Sequence, residues 1–194
     1  VQLILKGVIL MVTRPKIEYI NRLIDESLMG GDDTIELKGK FIGDEGVEAL
    51  IQSKKLGDIE DLDLSNNTIT WRGAVHLFEC NKFKNLKRLY INDNNIADKG
   101  AFALVEAPFL DQLSVLDTCF NNINISGGLA IANCERFSKL QVLNMQENQV
   151  GDQTLITLAK NPYFGNVRKL NFYRTGISLQ GVKVLAKSKV FQKI

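Results

Sequence analysis

The stretch IEDLDLSNNTI, residues 59–69, decides the fold. Leu62 and Leu64 alternate with polar residues, which is typical of a short β-strand with one face in a core. Asn67 follows where the chain would turn out of that strand. The same pattern returns every 27 residues without a gap. The copies read DDTIELKGKFI at 32–42, LKRLYINDNNI at 86–96, LSVLDTCFNNI at 113–123, LQVLNMQENQV at 140–150 and VRKLNFYRTGI at 167–177.

The second half of each unit keeps the same frame. A glycine column holds Gly46, Gly73, Gly100, Gly127 and Gly181, and Thr154 interrupts it. A column of Leu or Ile follows, and a further apolar column closes each unit. These columns predict one helix per repeat, with Asp44, Asp98 and Asp152 acting as its N-terminal caps. Stability would come from stacking of neighbouring repeats.

One polar column is expected to be buried. Its members are Asn67, Asn94, Asn121 and Asn148. An amide at the strand exit can bond the backbone of its own turn and of the adjacent turn. We therefore predict that these asparagines form a buried hydrogen-bonded ladder.

The run Asn94-Asn95-Ile96-Ala97-Asp98-Lys99-Gly100, with Leu104, resembles the ribonuclease-inhibitor-like class of leucine-rich repeats. The resemblance covers about residues 32–194. It implies an α/β solenoid, a right-handed βα superhelix shaped as a horseshoe segment, with parallel strands on the concave side and helices on the convex side. Members of this class bind proteins. Examples are ribonuclease inhibitor, the sensing domains of innate-immune receptors and Ran-type GTPase activators.

The two ends depart from the pattern. Residues 1–31 are predicted to be a degenerate N-terminal repeat or cap, in which Leu23 and Met29 fit the frame. Residues 32–194 are predicted to form six regular 27-residue repeats. Ile194 falls on the first apolar position of a further repeat, so we expect the array to continue beyond this chain.

Composition narrows the class of partner. The net charge of +2 is too small to indicate nucleic acid or a membrane surface. No apolar run reaches the roughly 18 residues of a membrane helix. Three cysteines, with no C-x-x-C pair, favour a reducing compartment over a disulfide framework. We expect a cytoplasmic protein with a protein partner and no small-molecule substrate.

No residue pattern indicates catalysis, a metal site or a cofactor. His76 is the only histidine, and no carboxylate or nucleophile is expected beside it from a neighbouring repeat, so we interpret it as structural. Cys80 and Cys134 are interpreted as packing thiols. Cys119 faces the concave side and could be reactive, but no adjoining cation would lower its pKa.

Strand alternation predicts the concave binding surface. Its candidate residues are Asp63, Arg88, Tyr90, Asp117, Phe120, Asn144, Tyr173 and Arg174. This surface is acidic towards the first repeats and basic with aromatics towards the last. Tyr, Phe and Arg are residue types that contribute strongly to interfaces. The alternative is that mixed polar residues here only keep the solenoid soluble.

A second stripe is a candidate surface on the convex side. It consists of Val75, Phe102, Leu129 and Ile156. The terminal units keep this column charged, with Glu48 and Lys183. Packing between helices is the simpler interpretation, whereas exposure would make the stripe a docking patch.

The leading hypothesis is a non-catalytic protein-binding module that presents its concave face. The alternatives are a GTPase-activating or regulatory leucine-rich-repeat protein and a structural subunit of a large assembly. The first alternative would require an exposed loop Asn or Arg at a bound nucleotide. The second would use the convex stripe.

Overall fold

The computed structural model describes residues 2–5 and 8–191, in which short strands alternate with helices. The strands are β1 (Gln2–Leu5), β2 (Val8–Met11), β3 (Thr34–Glu36), β4 (Asp61–Asp63), β5 (Arg88–Tyr90), β6 (Val115–Asp117), β7 (Val142–Asn144) and β8 (Lys169–Asn171). The α-helices are α1 (Arg14–Ser27), α2 (Gly43–Gln52), α3 (Trp71–Glu79), α4 (Ala97–Val105), α5 (Ile125–Asn133), α6 (Gly151–Leu158) and α7 (Leu179–Ala186). Short 3-10 helices span Leu110–Gln112 and Pro162–Phe164.

Strands β3 to β8 form one parallel sheet in chain order. Leu62 pairs with Leu89, and Leu116 pairs with Leu143, so each partner lies 27 residues further along the chain. Successive helices pack side by side behind the sheet. The predicted α/β leucine-rich-repeat solenoid is confirmed.

The core lies between the sheet and the helices. The central residue of each strand from β3 to β7 is fully buried, whereas its neighbours on the strand are partly or fully exposed. Burying one such side chain contributes about 1.5–3 kcal/mol. The column that closes each unit is also buried, and Phe137 and Phe164 from adjacent units pack with ring centroids 5.3 Å apart.

The four asparagines at the strand exits are all buried. Asn94 Oδ1 accepts hydrogen bonds from the amides of Asn67 (3.1 Å) and Ile69 (2.9 Å) in the preceding repeat. Its Nδ2 donates to the carbonyl oxygen of Leu64 at 3.0 Å and to that of Ile91 at 2.9 Å. Each of the other three asparagines likewise bonds its own turn and the preceding repeat.

The aspartates do accept hydrogen bonds from amides at a helix start, as predicted. They cap the following helix, however, and not the helix in whose first turn they lie. Asp98 lies in the first turn of α4, yet its carboxylate accepts from the amides of Asn124 (2.7 Å) and Gly127 (3.1 Å), at the start of α5. Asp44 and Asp152 reach the next helix in the same way. The N-cap residues of α2, α4 and α6 carry no capping side chain. Each aspartate therefore ties one repeat to the following one.

This contact explains the glycines of alternate repeats. A Cβ atom at Gly127 would lie 2.6 Å from Asp98 Oδ1, and one at Gly73 would lie 2.4 Å from Asp44 Oδ1. Real side chains do not approach so closely. Glycine at these positions lets the helix start come within hydrogen-bonding distance of the aspartate.

The N-terminal segment differs from the repeats that follow. Strands β1 and β2 form an antiparallel hairpin separate from the six-stranded sheet, while α1 packs against α2. Leu23 is buried as the frame predicts, but Met29 is 72% exposed, so its predicted core position is wrong. The Ser27 hydroxyl accepts from the Glu36 amide at 3.2 Å and so bonds the edge of β3. The frame position of Ile194 lies outside the described residues.

Candidate functional site

Five of the residues predicted for the concave face lie in strands β4 to β7, next to the buried central residue of each strand. Asp63, Tyr90, Asp117 and Asn144 form one row across β4 to β7, because each pairs with the next in the parallel register. All four are half-buried. Arg88 lies in the parallel row at the first position of the strands.

Arg88 is held by a carboxylate of the preceding repeat. Its Nη2 donates to Asp61 Oδ2 at 2.6 Å, and its Nε also contacts that carboxylate. This hydrogen bonding raises the pKa of Arg88 above its usual range. The guanidinium is therefore positioned, but its charge is already compensated.

Tyr90 lies in the middle of an acidic environment. Its neighbours in the row are Asp63 and Asp117. Burial raises the pKa of Tyr90, and the nearby Asp61 carboxylate raises it further. The phenol therefore stays protonated at neutral pH and can donate a hydrogen bond to a partner.

Three members of the row have a structural contact that the sequence analysis missed. A side-chain oxygen of Asp63, Asp117 or Asn144 accepts the backbone N–H two residues later, at 2.8, 3.1 and 3.2 Å respectively. Asn144 Nδ2 also donates to Asp117 Oδ2 at 2.9 Å. The recurrence of Asp or Asn before a turn is a signal that could have predicted these contacts.

The rim beyond the strands presents the exposed aromatics. Phe120 is 44% exposed and Tyr173 is 59% exposed. The Arg174 guanidinium lies 5.2 Å from the Tyr173 ring centroid, and its Nη1 donates to Glu147 Oε1 at 3.1 Å. Backbone φ is positive at both Phe120 (50°) and Arg174 (54°). This left-handed conformation recurs at Asn66, Asp93 and Glu147, so it is the rule for this rim position.

A shallow groove of about 410 Å³ crosses the later strands. The half-buried Val115 and Val142, which pair across β6 and β7, contribute to its lining. Tyr90 also lines it, as does Lys169, the register partner of Val142. The concave face thus combines an apolar patch with an exposed cation.

The residues of the convex stripe differ in exposure. Val75, Leu129 and Ile156 are half-buried, and Phe102 is 47% exposed. The expectation that Glu48 keeps this column charged at the surface is wrong, because Glu48 is 1% exposed. Phe102 is the most exposed member of the stripe.

Glu48 also corrects the interpretation of His76. We expected no carboxylate beside this histidine, but Glu48 Oε1 contacts His76 Nδ1 from the preceding helix. Burial lowers the pKa of His76, so the ring is largely neutral at pH 7. Glu48 corresponds to position 75 in the next repeat, so His76 lies one residue beyond the equivalent position.

The three cysteines are buried and unpaired in the structure. Burial raises the pKa of Cys119 to about 12, and the neighbouring Asp117 carboxylate adds to this effect. Burial also raises the pKa of Cys80 and Cys134. Thiols in this state are poor nucleophiles at neutral pH.

Neither a metal-binding cluster nor a membrane-spanning helix occurs in the part of the chain that the structure describes. No group of three or more His, Cys, Asp or Glu side chains there could hold a metal ion. None of the helices in that part combines the length and apolar character needed to cross a membrane.

Comparisons with known proteins give one family match. A family model described as leucine-rich repeat matches residues 84–105 and 138–159. These segments run from the loops before β5 and β7 into α4 and just past α6, and lie two repeat lengths apart. No curated protein sequence matches significantly. The matched model and the strand register together identify leucine-rich repeats in this chain.

Two solved structures are similar in fold. The tropomodulin C-terminal domain of Caenorhabditis elegans has a TM-score of 0.48 and 14% identity, over 89% of this chain and 90% of that one. The actin-binding site 2 of leiomodin-1 has a TM-score of 0.43 and 15% identity, over 92% of this chain and 90% of that one.

Proposed function

We propose that this chain is a non-catalytic protein-binding module whose partner contacts the concave face around Arg88, Tyr90, Phe120, Tyr173 and Arg174. The observation that carries the proposal is the cluster on the later repeats. Exposed Phe120 and Tyr173 lie on the rim, and Arg174 is held over the Tyr173 ring. Aromatic and Arg side chains of this kind are the usual anchors of protein interfaces.

The framework of the sheet supports this use. Tyr90 belongs to β5, and Tyr173 lies two residues after the end of β8, three repeat steps away. Strands stack about 4.8 Å apart, so the two side chains are separated by roughly 15 Å. That span fits an interface of about 800 Å² per partner. Tyr90 is held within a strand, and the Tyr173 amide donates to Asn171 Oδ1 at 3.1 Å, so little backbone ordering entropy is lost on binding.

The half-buried row has a secondary role in this proposal. Asp63, Asp117 and Asn144 each have one oxygen bonded to the backbone, which leaves the second polar atom to face a partner or a neighbour. We assign them to the polar surroundings of the anchors and expect smaller effects from their truncation.

We also propose that the repeats belong to the ribonuclease-inhibitor-like class and that the protein is cytoplasmic. The 27-residue strand register supports the first proposal. Three buried, unpaired thiols support a reducing compartment.

Affinity capture with mass spectrometry tests the binding proposal. The double variant Tyr90→Ala, Tyr173→Ala removes two concave side chains outside the core columns. Phe102→Asp is the matched convex control, because Phe102 is also an exposed aromatic. We expect the double variant to lose a partner that the wild type and the control retain. Loss in the control alone would move the binding surface to the convex stripe.

A further inference from the structure

Three cations of the last repeats lie near one another where the chain enters the strands. Among residues 12–191, Lys139, Arg168 and Lys169 form no salt bridge, and Lys139 donates only to the neutral Gln112 oxygen at 2.9 Å. Lys87 and Arg88, at the equivalent positions three repeats earlier, are instead paired with Glu60 and Asp61. Other lysines in this part of the chain, such as Lys38 and Lys54, also form no salt bridge, but Lys139 and Arg168 line the same groove and Lys169 directly follows Arg168.

These cations line two adjoining grooves. The concave groove described above contains Val115, Val142 and Lys169. A second groove of about 420 Å³ lies at the strand entry and is lined in part by Ser114, Gln141 and Arg168, the residues that directly precede those three. Lys139 lies in the second groove as well. In each of three successive repeats, a residue lining one groove is therefore followed directly by a residue lining the other.

The chemistry of this path indicates its occupant. The half-buried valines form an apolar contact surface on the sheet, and the cations lie on the side where the chain enters the strands. Lys139, Arg168 and Lys169 would attract an anionic group there. Asp117 also lines the concave groove, but its oxygens already accept hydrogen bonds from Asn144 Nδ2 at 2.9 Å and from the Cys119 amide at 3.1 Å. The first repeats differ, because Glu36 and Asp63 place carboxylates without an ion pair to residues 12–191 on that part of the face.

We propose that the path formed by the two grooves binds an acidic segment of the protein partner. An apolar side chain of that segment packs on Val115 and Val142, and its flanking carboxylates meet Lys139, Arg168 and Lys169. This inference rests on the proposed binding function and specifies the partner's chemistry. Single-stranded nucleic acid is the competing polyanion, but it uses aromatic stacking platforms. Within the described part of the chain, Tyr90 is the sole aromatic residue lining either groove.

Fluorescence polarisation with synthetic dodecapeptides tests the inference directly. The probe peptide has one leucine flanked by glutamates, and its comparisons replace the glutamates with glutamine or the leucine with alanine. We expect the probe to bind more tightly than either comparison peptide and to weaken with added salt. Equal binding of the glutamine peptide, or tighter binding of a single-stranded oligonucleotide, would overturn the inference.

Charge reversal locates the site. Arg168→Glu with Lys169→Glu should weaken probe binding by about 10-fold or more, since two exposed ion pairs at about 0.7 kcal/mol each correspond to that factor. The matched control, Lys54→Glu with Lys160→Glu, changes the net charge equally at exposed positions outside both grooves. An equal loss in both double variants would show nonspecific attraction and overturn the site.

Capture of the natural partner separates this inference from the proposed function. If the tyrosine double variant loses the partner while Arg168→Glu, Lys169→Glu retains it, the acidic-segment inference fails and the concave function stands. If neither variant loses the partner, both fail. Loss in both variants supports both.

Discussion

Replacing Asn148 with alanine should destabilise the solenoid about twice as much as replacing Asn121, although both asparagines are buried at the same repeat position. Asn148 Oδ1 accepts from two amides, Asn121 N at 3.2 Å and Ile123 N at 2.9 Å. Asn121 Oδ1 accepts from one, Ile96 N at 3.3 Å. In that repeat the Asn94 amide bonds the Phe120 carbonyl instead, at 3.2 Å.

The donor side of Asn121 adds little to the difference. Its Nδ2 donates to the carbonyls of Ile91, Thr118 and Cys119, and each of these oxygens keeps another donor when Asn121 is truncated. The cost of each substitution therefore depends mainly on how many buried amides lose their hydrogen-bond acceptor. At about 1–3 kcal/mol per buried unpaired group, Asn121→Ala should cost about 1–3 kcal/mol and Asn148→Ala about 2–6 kcal/mol.

Urea unfolding followed by circular dichroism measures both free energies of unfolding. Asn95→Ala is the control, because Asn95 is exposed, has an ordinary negative φ and bonds the exposed Asn122 side chain. Its effect should stay within about 0.5 kcal/mol. An unchanged midpoint for Asn121→Ala, or a larger cost for Asn121→Ala than for Asn148→Ala, would refute this accounting of the ladder.

Three further predictions concern stability. Gly127→Ala should cost about 1–3 kcal/mol in urea unfolding, because the added Cβ would overlap the neighbouring carboxylate, whereas Gly57→Ala meets open space and should be tolerated. Burial lowers the pKa of His76 below its ordinary 6.5, so the unfolded chain takes up the proton first and stability falls as pH drops below 6.5. The stability difference between wild type and His76→Gln should therefore shrink from pH 8 to pH 5; a widening difference would mean that contact with the Glu48 carboxylate raises the pKa instead. A designed polar capping repeat fused after residue 194 should raise the free energy of unfolding by roughly 2 kcal/mol, because Leu170 and Phe172 are half-buried where inner repeats bury the same columns fully. Equal melting temperatures with and without the cap would contradict that reasoning.

The repeat frame was readable from the sequence because each core column recurs at a constant spacing. A strand with Leu62 and Leu64 inward must direct Asp61 and Asp63 outward, so the concave face followed from alternation alone. The register of the sheet followed from the same spacing. These features depend on local pattern and on stacking of identical units.

Contacts between unlike positions were not readable in the same way. Glu48 and His76 occupy neighbouring columns of adjacent repeats, and a comparison of like positions does not bring them together. The aspartate bridges recur only in every second repeat: Asp98, for example, is followed by Ile125 at the same position of the next repeat. A comparison of single 27-residue repeats does not reveal this alternation. Both contacts depend on how one helix faces the next.

The charge state of the concave face was also only partly predictable. Arg88 was expected as a binding cation, but a carboxylate one repeat earlier compensates it. Lys169, in the same row, has no such partner within residues 12–191. Whether an exposed cation is free depends on side-chain geometry between strands, which residue types alone do not specify.

The central claim is that the concave face binds a protein partner, and the dissociation constant of the captured partner tests it most directly. Calorimetric titration of that purified partner should show binding weakened by about 30-fold or more for Tyr90→Ala, Tyr173→Ala, which corresponds to truncation of anchors worth over 2 kcal/mol. Phe102→Asp should bind like the wild type, with both variants folded by circular dichroism. Normal binding by the tyrosine variant, with binding lost in Phe102→Asp, would contradict the concave site and place the interface on the convex stripe.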